Sequence, residues 1–193
     1  NLGNTLKELG RSDEAELSYN KALLLKPNFV EAHYNLGILL HDLSREEEAE
    51  KNYRQAIIIQ PDYAQAYNNL GNTLKELGRS DEAEASYNQA LILKPDFGEA
   101  HYNLGTLLHD LDRAEEAEAS YRQAIFFKQS FSLAHNNLGN TLIVLGRYKD
   151  AELSYNQALV LKPDFVEAHH NKNFCLNYSS LWSPLLIYQQ HLE

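Results

Sequence analysis

Apolar residues in this chain fall three or four places apart for several turns, stop at a short polar stretch, and begin again. Residues Val30 to Leu43 put Ala32, Leu36, Leu39, Leu40 and Leu43 along one side of a helix. Residues Glu46 to Ile59 do the same with Ala49, Tyr53, Ala56 and Ile57. Ser44-Arg45 is the turn between them, and Pro61 ends the second helix. The same hairpin plan recurs at 64–97, 98–131 and 132–165, with partial units at about 1–29 and 166–178. Each unit is 34 residues long, a period that predicts stacked helical hairpins and an all-α fold.

Within each unit, particular residue types keep their places. Leu-Gly stands at 36–37, 70–71, 104–105 and 138–139. Ala49, Ala83, Ala117 and Ala151 follow, then Tyr53, Tyr87, Tyr121 and Tyr155, then Ala56, Ala90, Ala124 and Ala158. Pro61, Pro95 and Pro163 close their units. Gly and Ala belong where two helices approach most closely, and the Tyr is expected to fill the wider gap to the next hairpin. On these residues the sequence resembles the tetratricopeptide repeat (TPR) family over most of its length. The resemblance implies a right-handed superhelical solenoid in which the first helix of each hairpin lines a concave inner wall. A longer period is superposed: NLGNTLKELGRSDEAE occurs at 1 and again at 69, and EAHYNLG at 31 and again at 99, so the array reads as a duplicated pair of hairpins.

Three departures interrupt the pattern. Lys128-Gln129-Ser130 lacks the proline of the other inter-hairpin turns. Ile143-Val144 replaces the charged pairs Lys7-Glu8 and Lys75-Glu76. Lys172-Asn173 replaces Leu-Gly, so a sixth hairpin is not expected to close normally. The array is assigned to 1–178, and 179–193 to a capping or linker helix, with Ser183-Pro184 as its start and Trp182, Leu185, Leu186 and Tyr188 covering the last hairpin. At the other end Leu2, Leu6 and Leu9 lack a preceding repeat, so either weak self-association through this open end or high mobility of residues 1–10 is expected. Met is absent and Asn1 falls inside a repeat, which reads as a piece of a longer protein.

Composition narrows the function classes. The net charge of −10 argues against nucleic acid as a partner. No apolar run is long enough to span a membrane. A single cysteine, Cys175, cannot form an internal disulfide and fits a reducing, cytoplasmic setting. Acids at Asp13, Glu14, Asp81 and Glu82, with Lys26, Lys94 and Lys162 at the far ends, complement helix dipoles.

The most informative polar pattern is an asparagine ladder. Asn35, Asn69, Asn103, Asn137 and Asn171 occupy the same place in successive first helices, and Asn1 begins the series. If Leu36, Leu39, Leu40 and Leu43 face the partner helices, then Tyr34, Asn35, Asn68, Asn69, Asn72, Tyr102, Asn103, Asn136, Asn137 and Asn140 lie on the opposite face. A primary amide offers donors and an acceptor together, so a row of them can hold the backbone of an extended polypeptide whatever its side chains. The ladder resembles the repeat arm of O-linked N-acetylglucosamine transferases and SPINDLY-type glycosyltransferases. There, such side chains hold the backbone of protein substrates. The stretch 176–193, with Asn177-Tyr178, Ser183-Pro184, Ile187-Tyr188 and His191, resembles the segment that joins repeats to the catalytic domain in bacterial members.

Catalysis and cofactors are not expected. His33, His101, His135 and His169 share a slot that Tyr67 also fills, which favours aromatic packing over metal binding. No phosphate loop, nucleophile elbow or paired cysteine occurs. The predicted role is therefore non-enzymatic: a module that binds extended polypeptide, as the substrate-recruiting arm of a glycosyltransferase. A general scaffold for a multiprotein complex and an oligomerisation module are the alternatives.

Overall fold

The computed structural model describes residues 2–176, and the predicted capping segment lies outside them. Two compact units divide the chain, Asn1–Asp96 and Phe97–Glu193. The first contains α1 (Leu2–Glu8), α2 (Ser12–Leu25), α3 (Val30–Asp42), α4 (Glu46–Ile59), α5 (Ala64–Glu76) and α6 (Ser80–Leu93). The second contains α7 (Gly98–Asp110), α8 (Ala114–Phe127), α9 (Ser132–Val144), α10 (Tyr148–Leu161) and a further helix, α11, over 166–176. All regular structure among the described residues is helical. Each unit is a stack of antiparallel hairpins joined by short turns.

Hairpins close on a glycine and a tyrosine. A Cβ built on Gly37 would lie 2.7 Å from the Tyr53 ring, one on Gly71 2.6 Å from Tyr87, and one on Gly139 2.5 Å from Tyr155. The tyrosine therefore sits on the glycine of its own hairpin rather than filling only the gap to the next. Tyr53, Tyr87, Tyr121 and Tyr155 are almost wholly buried, as are Ala49, Ala83, Ala117 and Ala151. Leu36, Leu39 and Leu40 are buried as expected, whereas Leu43 lies outside the core at the hairpin turn. That turn needs one residue at positive φ. Gly10, Gly78 and Gly146 supply it, while Ser44 (φ 55°) and Asp112 (φ 58°) adopt it at a steric cost.

The proline-free turn at Lys128 has the same geometry as the others: Lys128 caps α8 at φ −136° and ψ 81°, close to Gln60 at −130° and 90°. The helix stops there without proline, and the Lys128 ammonium sits 4.6 Å from the Phe131 ring centroid while pairing with Glu99 at 2.6 Å.

The outer edge of each unit is laced by arginines from the hairpin turns. Arg45 holds Glu48 and reaches Glu16 of the preceding hairpin at 2.7 Å, and Arg79 holds Glu82 and reaches Glu50 at 2.7 Å. Arg147 joins Asp150 to Glu118 in the same way. The first-turn acids thus serve these arginines as well as the helix dipoles. A row of apolar residues also lies on the second helices, namely Leu24, Ile58 and Ile92 in the first unit and Phe126 and Val160 in the second, all two-thirds exposed or more. At the start of the chain Leu2 and Leu9 are exposed, but Leu6 is buried by α2 and is no part of an open edge.

Candidate functional site

Successive first helices touch through a polar network on one face. In the first unit the Tyr34 ring packs against Tyr63, 4.7 Å between centroids, and its hydroxyl accepts a hydrogen bond from Asn69 Nδ2 at 3.2 Å. Burial pushes the Tyr34 hydroxyl above its ordinary pKa, with the Asn69 bond opposing, and it pushes Tyr63 up to about 12. Asn68 Nδ2 donates to Asn69 Oδ1 at 3.3 Å. Thr73 Oγ1 donates to the Asn69 carbonyl at 3.0 Å and meets His41 Nδ1 at 3.5 Å. His41 also faces Glu76 at 3.4 Å, and Lys7 pairs with Asp42 at 2.8 Å.

One helical turn beyond the ladder position, Asn4, Asn72, Thr106 and Asn140 accept from the tyrosine of their own hairpin, while Ile38 stands at that place in α3. Tyr19 donates to Asn4 at 2.6 Å, and Tyr87 to Asn72 at 2.8 Å. Asn4 and Asn35, with Lys7, Glu8, Tyr19 and Ile38, line an open cleft of about 280 Å³.

The second unit repeats the design 68 residues on. Tyr102 packs on Phe131 at 4.7 Å and accepts from Asn137 Nδ2 at 3.1 Å. Asn136 donates to Asn137 at 3.2 Å, and Thr141 meets His109 at 3.2 Å. Tyr155 donates to Asn140 at 2.8 Å, and Tyr121 to Thr106 at 3.2 Å. Here the network continues into α11, where Asn171 donates to Asn136 and Asn136 to Glu167, at 3.2 and 3.1 Å.

A rule emerges that periodicity alone did not predict. The ladder residues Asn69, Asn137 and Asn171 each donate to the side chain 35 positions earlier, on the preceding first helix. They tie the stack together as well as line its wall. The signal in the sequence was the alternation Tyr34, Asn68, Tyr102, Asn136 beside the ladder.

Two expected wall residues lie elsewhere. Asn68 is 5% exposed and Asn136 fully buried, so both sit beneath the wall, where they orient the ladder amides. Asn35, Asn69, Asn72, Asn103, Asn137, Asn140 and Asn171 are partly exposed, as are Tyr34 and Tyr102. The bonds found for Asn69 and Asn137 engage one N–H and one lone pair of each amide. The Asn69 amide also hydrogen-bonds the Tyr53 hydroxyl and the Asn137 amide that of Tyr121, which leaves a carbonyl lone pair of each for a ligand.

The recurrent histidines act as hooks to the preceding turn. His33 Nε2 and His169 Nε2 each lie 2.9 Å from a proline carbonyl six residues earlier, while His101 stacks on Phe127. Among the described residues no three His, Cys, Asp or Glu side chains converge on a metal position. Cys175 is buried and its Sγ lies 3.3 Å from the Tyr148 carbonyl. No described helix is long and apolar enough to cross a membrane.

Comparison with known families agrees with this geometry. Models described as tetratricopeptide repeat match residues 29–96, 68–132 and 132–165, and one described as TPR repeat matches 3–44. No curated protein matches the sequence. Among solved structures, MamA is similar at a TM-score of 0.77 and 23% identity, over 84% of this chain and 95% of that one. YrrB, described as a TPR protein with an unusual peptide-binding site, is similar at 0.72 and 22%, over 89% and 88%. PilF of Pseudomonas aeruginosa is similar at 0.76 and 20%, over 99% and 93%. At these identities the likeness is one of fold.

Proposed function

The chain belongs to the tetratricopeptide repeat family, whose arrays are non-catalytic scaffolds for protein–protein interaction, and on that premise we propose that its asparagine-bearing wall binds extended polypeptide by the backbone. The observation that carries the proposal is the held amide. Asn69 and Asn137 are each fixed from two sides, by Asn68 and Tyr34 in one unit and by Asn136 and Tyr102 in the other. A side chain already fixed in place loses little conformational entropy when a ligand arrives, so its remaining acceptor site acts at close to full value. Asn35 extends the row in the first unit, and Asn103 and Asn171 extend it in the second. Tyr34 and Tyr102 add ring surface beside it.

In the finer form of this reading, the array recruits protein substrates to a glycosyltransferase domain of the parent protein. The likeness of 176–193 to the segment that joins repeats to such a domain supports it. That stretch lies almost wholly outside the described residues, so the finer form rests on sequence alone.

Titration calorimetry with a twelve-residue Ser/Thr/Gly peptide tests the wall. Replacing Asn69, Asn103 and Asn137 together by Ala should weaken binding by about 2–4 kcal/mol, three bonds at roughly 1 kcal/mol each. Unchanged affinity in the triple variant counts against the assignment.

A further inference from the structure

The duplication provides an internal control, because α5 and α9 are equivalent helices with the same amides and different surroundings. On α5 the wall positions around Asn69 and Asn72 are Gln65, Lys75 and Glu76. On α9 the corresponding positions around Asn137 and Asn140 are Leu133, Ile143 and Val144. All three non-amide positions have become aliphatic while the amides are kept. Leu133 is 45% exposed and Val144 65%, so neither is spent on the core. Loss of Glu76 also leaves His109 facing Thr141 alone among the contacts that His41 makes with both Thr73 and Glu76.

We infer that α9 is a side-chain selectivity step, preferring aliphatic or aromatic residues in the peptide segment that crosses it. The inference rests on the peptide-binding reading above. Leu133, Asn137, Asn140 and Val144 follow one helical face at spacings of four, three and four. At a rise of ~1.5 Å per residue, Leu133 lies about 6 Å to one side of Asn137 and Val144 about 10 Å to the other. An extended chain held by Asn137 sends successive side chains to opposite sides, one toward Leu133 and the next toward Ile143-Val144. Packed helices are ~8–10 Å apart, about three residues of extended chain, so one such pair of positions falls on α9.

A charged side chain there loses hydration without gaining a partner. Two carboxylates on the flanking first helices are engaged, Glu99 by Lys128 and Glu167 by Asn136. On α5 the same positions admit polar and charged residues.

The test compares three labelled peptides built on the Ser/Thr/Gly twelve-mer, with Leu-Leu, Asp-Asp or no insertion at the centre. The expected result is about tenfold tighter binding of the Leu-Leu peptide than of the Asp-Asp peptide. L133Q/I143K/V144E gives α9 the wall of α5 and should abolish that preference. Val144→Glu alone, at an exposed helix end, should remove part of it and guards against a folding defect in the triple variant. If the preference survives both variants, or never appears, the inference is overturned. If the parent peptide itself fails to bind, or is indifferent to Asn137→Ala, the peptide-binding reading falls as well.

Discussion

Hairpins α3–α6 and α7–α10 differ by a shift of 68 residues, and setting them side by side separates what the fold requires from what the surface is free to change. Glycine under tyrosine, the alanine contacts, the ladder amide and its Tyr34 or Tyr102 acceptor are common to both. The inter-hairpin proline is not: Pro61 becomes Gln129, and the turn survives. Nor is the wall beyond the amides, where Glu76 facing His41 becomes Val144. The lesson is that the groups proposed to read peptide backbone are part of the packing network, whereas the positions proposed to read side chains change without altering it.

The largest effect that bears on this contrast is the loss of a shared packing element. Tyr87→Ala and Tyr155→Ala should each cost about 3–5 kcal/mol, as for other buried aromatics, by urea denaturation. Similar costs are expected because both rings cover a glycine and donate to an asparagine, Asn72 or Asn140. A cost confined to one of them would mean that the duplicate hairpins are not energetically equivalent.

A smaller effect is expected at Asn136. It is fully buried and joins Asn137, Glu167 and Asn171. Asn136→Ala removes these bonds and leaves polar groups without their partner, for about 1–3 kcal/mol. The same variant should also weaken peptide binding although residue 136 touches no ligand, since Asn137 loses the donor that orients it. Weakened stability with intact binding would break the proposed link between packing and recognition.

The smallest effect is a pH dependence expected at His135. Burial holds His135 below the ordinary imidazole pKa, and a hydrogen bond to the Gln129 backbone works in the opposite direction. The unfolded chain then binds more protons, so stability should fall as pH drops through about 6.5 and level off below the folded-state value. Tyr67 fills the equivalent slot 68 residues earlier. His135→Tyr should therefore flatten the slope, and an unchanged slope would assign it to another group.

Much of the fold was legible because helical periodicity, Gly-Tyr pairing and turn residues act locally. Glu46–Ile59, for example, is the observed span of α4. The candidate site was legible only at the level of the ladder. Asn68 and Asn136 read as wall residues because a helical wheel gives direction but not depth, and the next hairpin covers that edge. The tie from Asn69, Asn137 and Asn171 to the residue 35 positions earlier depends on how neighbouring hairpins dock, which no single repeat encodes. The exposed row Leu24, Ile58, Ile92, Phe126 and Val160 was open to view at 34-residue spacing, but its apolar neighbours, among them Ile57, Ile59, Leu159 and Leu161, hid it within a continuous apolar run.

The central claim is that the wall reads peptide backbone, and N-methylation tests it most directly. Calorimetry would compare the Ser/Thr/Gly twelve-mer with a copy N-methylated at alternate residues, which keeps the side chains and removes backbone donors. The account predicts at least tenfold weaker binding of the methylated copy to the native chain. It also predicts no difference between the two peptides on the variant lacking Asn69, Asn103 and Asn137. Equal affinity of the native chain for both peptides would contradict it.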